Sequence, residues 1–140
     1  MAAEFHKEGL QHLLELMSAR QSVPADYYIG LATDASLAED ATLASVTEVS
    51  GTGYARIAVE DTSVGFPTSE VTGTNDWRTI TKQVTFTGGA GGWTGANTAF
   101  LCTVGSGTSG KLIASGPLSS TRTLAEGDTE KVTMTLTLTG

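Results

Sequence analysis

The hydrophobic period of this chain changes once, at Pro24, and that change limits the possible folds more than any other feature. Before it, Leu10, Leu13, Leu14 and Met17 follow the i, i+3, i+4, i+7 spacing of one helical face, with Phe5 a turn earlier. The spacing predicts a helix over residues 4–18, with Glu4 and Glu8 near its positive end and Arg20 just past its negative end, as the macrodipole favours. Pro24 bars its continuation. At about 15 residues such a helix is marginal in isolation, so its stripe has to pack on its own domain or on a neighbouring subunit.

After Pro24 the period is two, and strands are predicted over residues 27–32, 54–60, 79–87, 98–104, 111–115 and 131–139. In the last of these Val132, Met134, Leu136 and Leu138 alternate with Thr133, Thr135, Thr137 and Thr139, one apolar face against one threonine face. Ile80, Val84 and Phe86 share parity in the same way, and a one-residue slip would reverse either face. Glycine clusters at residues 51–53, 88–92 and 105–107 punctuate the strands as hairpin turns. The expected fold is mainly β, an antiparallel β-sandwich or small jelly-roll-like barrel with one N-terminal α-helix. Residues 1–24 form the helical segment and residues 25–140 the β-domain, with an acidic loop at 33–50 that is longer than a usual connection.

At 140 residues the chain fits one domain, and 23 Thr, 12 Ser and 17 Gly suit strand and turn. Fifteen acids against eight bases give a formal charge of −7, so an extended nucleic-acid surface would oppose the overall field. The charge is uneven: Asp34, Glu39, Asp40, Glu48, Glu60, Asp61 and Glu70 stand against Arg56 alone, which predicts one acidic face or loop. No run approaches the ~20 apolar residues of a membrane-spanning helix, and no charged-then-apolar leader opens the sequence. Cys102 is the single cysteine, so no internal disulfide is expected, and the expected place of folding is the cytosol.

Catalysis needs a base within reach of a nucleophile, and the two histidines, His6 and His12, lie off the apolar stripe, where they are expected to be solvated. No nucleophile motif such as G-x-S-x-G accompanies them. Cys102, within Ala99-Phe100-Leu101-Cys102-Thr103, reads as a small buried hydrophobe. Residues 88–95 lack the Gly-Lys-Ser/Thr of a phosphate cradle, and the acidic stretches at 34–40 and 126–130 do not follow the spaced-aspartate calcium pattern. No catalytic residue, cofactor or metal site is therefore expected. Trp77 and Trp93 remain as a stacking platform or interface anchors, or else as core, with burial of at least one of them expected. With the helix face they complete the candidate interface: Phe5, Leu10, Leu13, Leu14, Met17, Trp77 and Trp93.

A longer pattern also runs through the chain. Tyr28-Ile29-Gly30-Leu31-Ala32-Thr33 follows the helical lead, and Glu48-Val49-Ser50-Gly51-Thr52-Gly53-Tyr54-Ala55-Arg56 follows the acidic loop. Thr85-Phe86, Trp93, Gly110-Lys111-Leu112-Ile113-Ala114-Ser115-Gly116-Pro117-Leu118 and Glu126-Gly127-Asp128-Thr129 complete it. In this the chain resembles small virion proteins of tailed bacteriophages, described as head decoration (cement) proteins or as tail-fibre components. The pattern consists of strand and turn residues, so the resemblance implies a structural role and no catalytic residues. Within it, Tyr54 is expected to pack and Arg56 to pair with an acid such as Glu48 or Glu60.

Two roles follow as expectations. In the first, a homotrimer decorates the head and clamps the major capsid protein, its helix docking on a neighbour. In the second, the chain is a tail-fibre or tail-tip component that contacts the host surface. Both place it in the virion after assembly in the host cytoplasm, without direct contact to nucleic acid or membrane. An enzyme such as a lysin is a remote third, because no supported acid pair stands out.

Overall fold

The computed structural model describes residues 1–139. In chain order its elements are β1 (Ala2–Phe5), α1 (Lys7–Met17), β2 (Asp26–Ala32), a 3-10 turn (Leu43–Ser45), β3 (Ile57–Glu60), β4 (Thr68–Val71) and β5 (Asp76–Ile80). Then follow β6 (Val84–Thr87), β7 (Ala96–Cys102), β8 (Leu112–Arg122), β9 (Thr129–Val132) and β10 (Thr135–Thr139). Eight strands form one sheet in the order β3-β2-β7-β8-β1-β10-β5-β4, and β6 pairs with β9 in a separate ribbon. The protein is mainly β with one α-helix, as the change of period predicts.

Alternation along β2 and β7 divides the interior in two. Ile29, Leu31, Ala99 and Leu101 meet Val84, Phe86, Trp93, Leu124, Val132 and Met134 in the main core, to which the ribbon contributes one wall. The intervening residues Ala32, Phe100 and Cys102, with Leu112, form a second core under the 33–50 segment, where Leu43 is fully buried and Leu37, Ala41 and Val46 pack beside it. The ring of Phe100 occupies the space that a Cβ on Gly30 would need, so glycine is required there. The acidic loop is thus a packed cover. Its Asp34 carboxylate accepts the Thr47 N–H at 2.7 Å, and Ala32 bridges Glu48.

Several sequence expectations change in detail. The chain begins with a strand and not with helix, and α1 starts at Lys7, so Phe5 belongs to β1. β1 pairs antiparallel with β8 but parallel with β10, so the sheet is not purely antiparallel. The strands expected at 79–87 and 131–139 each break into two, because both cross from the large sheet to the ribbon at one corner. Thr81 holds that corner, its N–H donating to the Met134 carbonyl at 2.9 Å and its Oγ1 accepting the Met134 N–H at 2.9 Å. Along the last segment the inward parity of Val132, Met134 and Leu136 continues through the corner, so that break leaves no trace in the alternation. Along 79–87 the buried position shifts from Thr81 to Val84 and Phe86, and Ile80, opposite Thr135, does not share their face. β8 extends through Gly116-Pro117 to Arg122, with register shifts against β7 that accommodate the proline, and β4 has no counterpart among the expected strands.

The Gly-Tyr-Ala-Arg element organises the end of the sheet beside β3. Arg56, its side chain 5% exposed, binds Glu48 through both carboxylate oxygens, at 2.8 and 3.1 Å. Its remaining donors reach the carbonyls of Val104 and Gly107, each at 2.9 Å, and the guanidinium lies 5.5 Å from the Phe100 ring centroid. The Tyr54 hydroxyl donates to Glu48 at 2.7 Å and accepts the Leu31 N–H at 2.9 Å, and burial raises its pKa. Of the two acids that could have paired with Arg56, Glu48 does so, while Glu60 binds Lys82. Removing one partner of a buried pair leaves the other charge unsatisfied. Arg56→Met is therefore expected to lower the unfolding free energy by about 3–5 kcal/mol, and Arg56→Lys to recover only part of it because an ammonium cannot reproduce the fork. Chemical denaturation of the three proteins measures both differences.

Candidate docking face

The helix packs through its polar side. Gly9 and His12 are its buried residues, while Leu10, Leu14 and Met17 are 41%, 61% and 80% exposed. Gly9 lies so close to the Ile113 carbonyl that a Cβ would collide with it, which sets α1 directly against β8. The Glu8 carboxylate accepts the Leu112 N–H at 2.8 Å and lies 3.4 Å from the Leu43 nitrogen, and the Lys7 N–H donates to Glu39. Hydrogen bonds thus fix the helix, and its apolar stripe faces outward.

Beside α1 runs a groove of about 480 Å³. Its floor is sheet: Trp77 of β5 sits opposite Val71 of β4 and Leu138 of β10, an exposed apolar row across three strands. Phe5, Leu13 and Tyr27 line one side, and Asp61, Thr62, Ser63 and Phe66 the other. The Trp77 indole N–H donates to the Ser69 hydroxyl at 2.8 Å, leaving the ring half exposed. Of the candidate interface residues, Phe5, Leu13 and Trp77 line this groove, and Leu10, Leu14 and Met17 form the neighbouring helix face. Trp93 does not join them. It is 6% exposed in the main core, edge-on to Tyr54 at 5.3 Å between ring centroids, and donates to the Thr52 carbonyl. Val71, Phe66 and Leu138 escape sequence reasoning, since only strand order brings them together; the parity of Leu138 with Leu136 suggested core.

Both histidines are buried, contrary to expectation. The side opposite the stripe is the side that meets the sheet, and hydrogen-bonded partners there satisfy the imidazoles. His6 donates from Nδ1 to the Ala38 carbonyl at 2.8 Å and accepts from the Ser115 hydroxyl at Nε2, 2.7 Å away. This pair lies at a second cleft, near Glu4, Glu39 and Pro117, with a backbone carbonyl where a catalytic triad places a carboxylate. Cys102 is fully buried, and burial raises its thiol pKa, as suits a core position. No cluster of three or more His, Cys, Asp or Glu side chains among the described residues could hold a metal ion.

His12 supports the groove from below. Gln21 donates to its Nδ1 at 2.6 Å and to its carbonyl at 3.2 Å, so Nε2 carries the proton and donates to the Tyr27 hydroxyl at 2.8 Å. The Tyr27 ring in turn meets Phe66 edge-on, and burial, with Asp61 nearby, pushes its hydroxyl pKa up to about 12. Burial lowers the His12 pKa below the ordinary histidine value. Below about pH 6.5 the unfolded chain therefore takes up this proton before the folded one does, and stability falls until the lowered folded pKa is passed. Melting temperatures recorded between about pH 7 and pH 5 should decline for the native protein and decline less for His12→Gln, which cannot take up the proton.

Comparison with known proteins bears on this geometry through one family. No curated protein matches the chain. The family model described as "Podophage GP4 fiber I protein gp80" matches residues 4–139, a span that holds α1, the groove, both cores and the Gly-Tyr-Ala-Arg element. On that match the chain belongs to the Podophage GP4 fiber I protein gp80 family, a family of phage virion structural proteins, in agreement with the resemblance drawn from its strand and turn residues.

Proposed function

We propose that the protein is a non-catalytic structural module of the phage tail-fibre apparatus, and that the helix face and groove are where it joins other virion components or the host surface. The fibre description of its family carries this reading over the head-decoration alternative. The geometry agrees with it. Exposed apolar side chains scattered singly are unremarkable, whereas Leu10, Leu14, Met17, Val71, Trp77 and Leu138 gather around one helix and one groove, the kind of patch that marks an interaction site. The rest of the molecule suits a passive part. Among the described residues no buried side-chain nitrogen or oxygen lacks a hydrogen-bond partner, and the long acidic loop is fastened over a core of its own.

The second reading, a head protein bound to the major capsid protein, draws on the same face, because a capsid surface could equally cover the stripe. Gold-labelled antibody against the chain, applied to intact particles, separates the two. Label on tail fibres is the expected result. Label distributed over the head would replace the fibre reading with decoration of the capsid, and purified protein that hydrolyses host-surface glycan would overturn the non-catalytic assignment.

A further inference from the structure

We propose that His12 and Gln21 form a proton-operated latch on the connector between α1 and β2, which opens when Nδ1 of His12 is protonated while the other side of the ring keeps its bond to Tyr27. This goes beyond the fibre reading and holds whatever the groove receives. In the neutral ring Nδ1 accepts from the Gln21 amide at 2.6 Å, and Nε2 donates to the Tyr27 hydroxyl at 2.8 Å. The same amide nitrogen donates to the His12 carbonyl at 3.2 Å, which fixes the amide with its NH2 group toward the helix. A proton on Nδ1 sets donor against donor on the connector side. Turning the amide over would offer Oε1 to the new N–H, but it would also set that oxygen against the His12 carbonyl. Nε2 carries a proton in both states of the ring, so the Tyr27 bond survives.

The connector is strained at the point where the latch holds it. α1 ends in a Schellman turn, in which the Arg20 N–H donates to the Glu15 carbonyl at 2.8 Å and the Ala19 N–H to the Leu16 carbonyl at 3.2 Å. Its left-handed position, commonly glycine, is Ala19 at φ 56°, the one non-glycine residue with positive φ among the described residues. Such strain persists only where surrounding contacts hold it. Among the described residues, Gln21 makes the only side-chain hydrogen bonds of residues 19–25. The next tie is the Ala25 carbonyl, which accepts the Asp61 N–H at 3.0 Å. Burial is the largest influence on the His12 proton and opposes it; of the charges that face the ring, Glu15 on α1 and Asp61 after β3 favour the proton, and Lys111 ahead of β8 opposes it. The latch therefore opens below the ordinary histidine value of about pH 6.5.

Nuclear magnetic resonance on the full chain tests this, following the His12 ring nitrogens, the Gln21 side-chain amide and backbone hydrogen exchange through an acid titration. As Nδ1 takes up its proton, protection of the Ala19 and Arg20 amides, corrected for intrinsic exchange, is expected to fall at least about tenfold, while the Tyr27 and Phe66 ring signals stay in place. In Gln21→Ala those two amides should be weakly protected at every pH. In Gln21→Glu the carboxylate can accept the Nδ1 N–H, so His12 should titrate at higher pH and the turn should stay closed through that titration. Four results would overturn the proposal: Ala19 and Arg20 amides that stay protected once Nδ1 is protonated; Tyr27 and Phe66 signals that move together with the turn; a Gln21→Ala chain that repeats the native loss of protection, which would assign it to Glu15 or Asp61; or a native chain that unfolds before His12 titrates.

Discussion

Four residues, β1 (Ala2–Phe5), make the large sheet one object. On one side Glu4 and Phe5 pair with Ser115 and Ala114 of β8, and on the other Ala2 and Ala3 pair with Thr135 and Leu136 of β10. Without β1 the β3-β2-β7-β8 and β10-β5-β4 groups would each present a row of unpaired backbone groups to solvent. The chain passes from β1 into α1 through His6, whose N–H donates to Ile113 and whose ring is held by Ala38 and Ser115. The seam therefore also sets the helix beside β10, and the groove between them follows from that placement.

The helix then settles a competition between two kinds of burial. Covering Leu10, Leu14 and Met17 would gain about 1.5–3 kcal/mol for each side chain that became fully buried. The opposite face instead carries Glu8, which accepts the Leu112 N–H at the start of β8, and His12, which binds Tyr27 and Gln21. Gly9 permits a close approach to β8 that a leucine at the same level would prevent. Satisfied polar groups and close backbone contact hold α1, and its apolar surface is left for a partner.

How much of this is legible in residues alone depends on the range of the interaction. Alternation in the final segment and in 79–87 is local, and it located the core side chains Val84, Phe86, Val132, Met134 and Leu136. The Tyr54 and Arg56 roles were also legible, because a buried arginine needs an acid and candidates lay nearby in the chain. Phe5, Leu13 and Trp77 of the groove were candidates without a visible relation to one another. Trp77 and Trp93 look alike in the sequence, yet one lies on the outer part of the sheet near its β4 edge and the other under the 51–53 turn.

By itself the sequence determined a β-protein with one short N-terminal helix, one long acidic loop and no obvious catalytic constellation, since period, turn chemistry and charge are properties of neighbouring residues. Only the tertiary structure decided which face of the helix is inside, that both histidines are buried, and that Val71, Trp77 and Leu138 form one row. Each of those outcomes depends on strand order and on hydrogen bonds between residues far apart in the chain, such as Glu8 with Leu112 and His6 with Ser115. A helical stripe shows that a helix has an apolar face; what covers that face is set by whatever the rest of the fold places beside it.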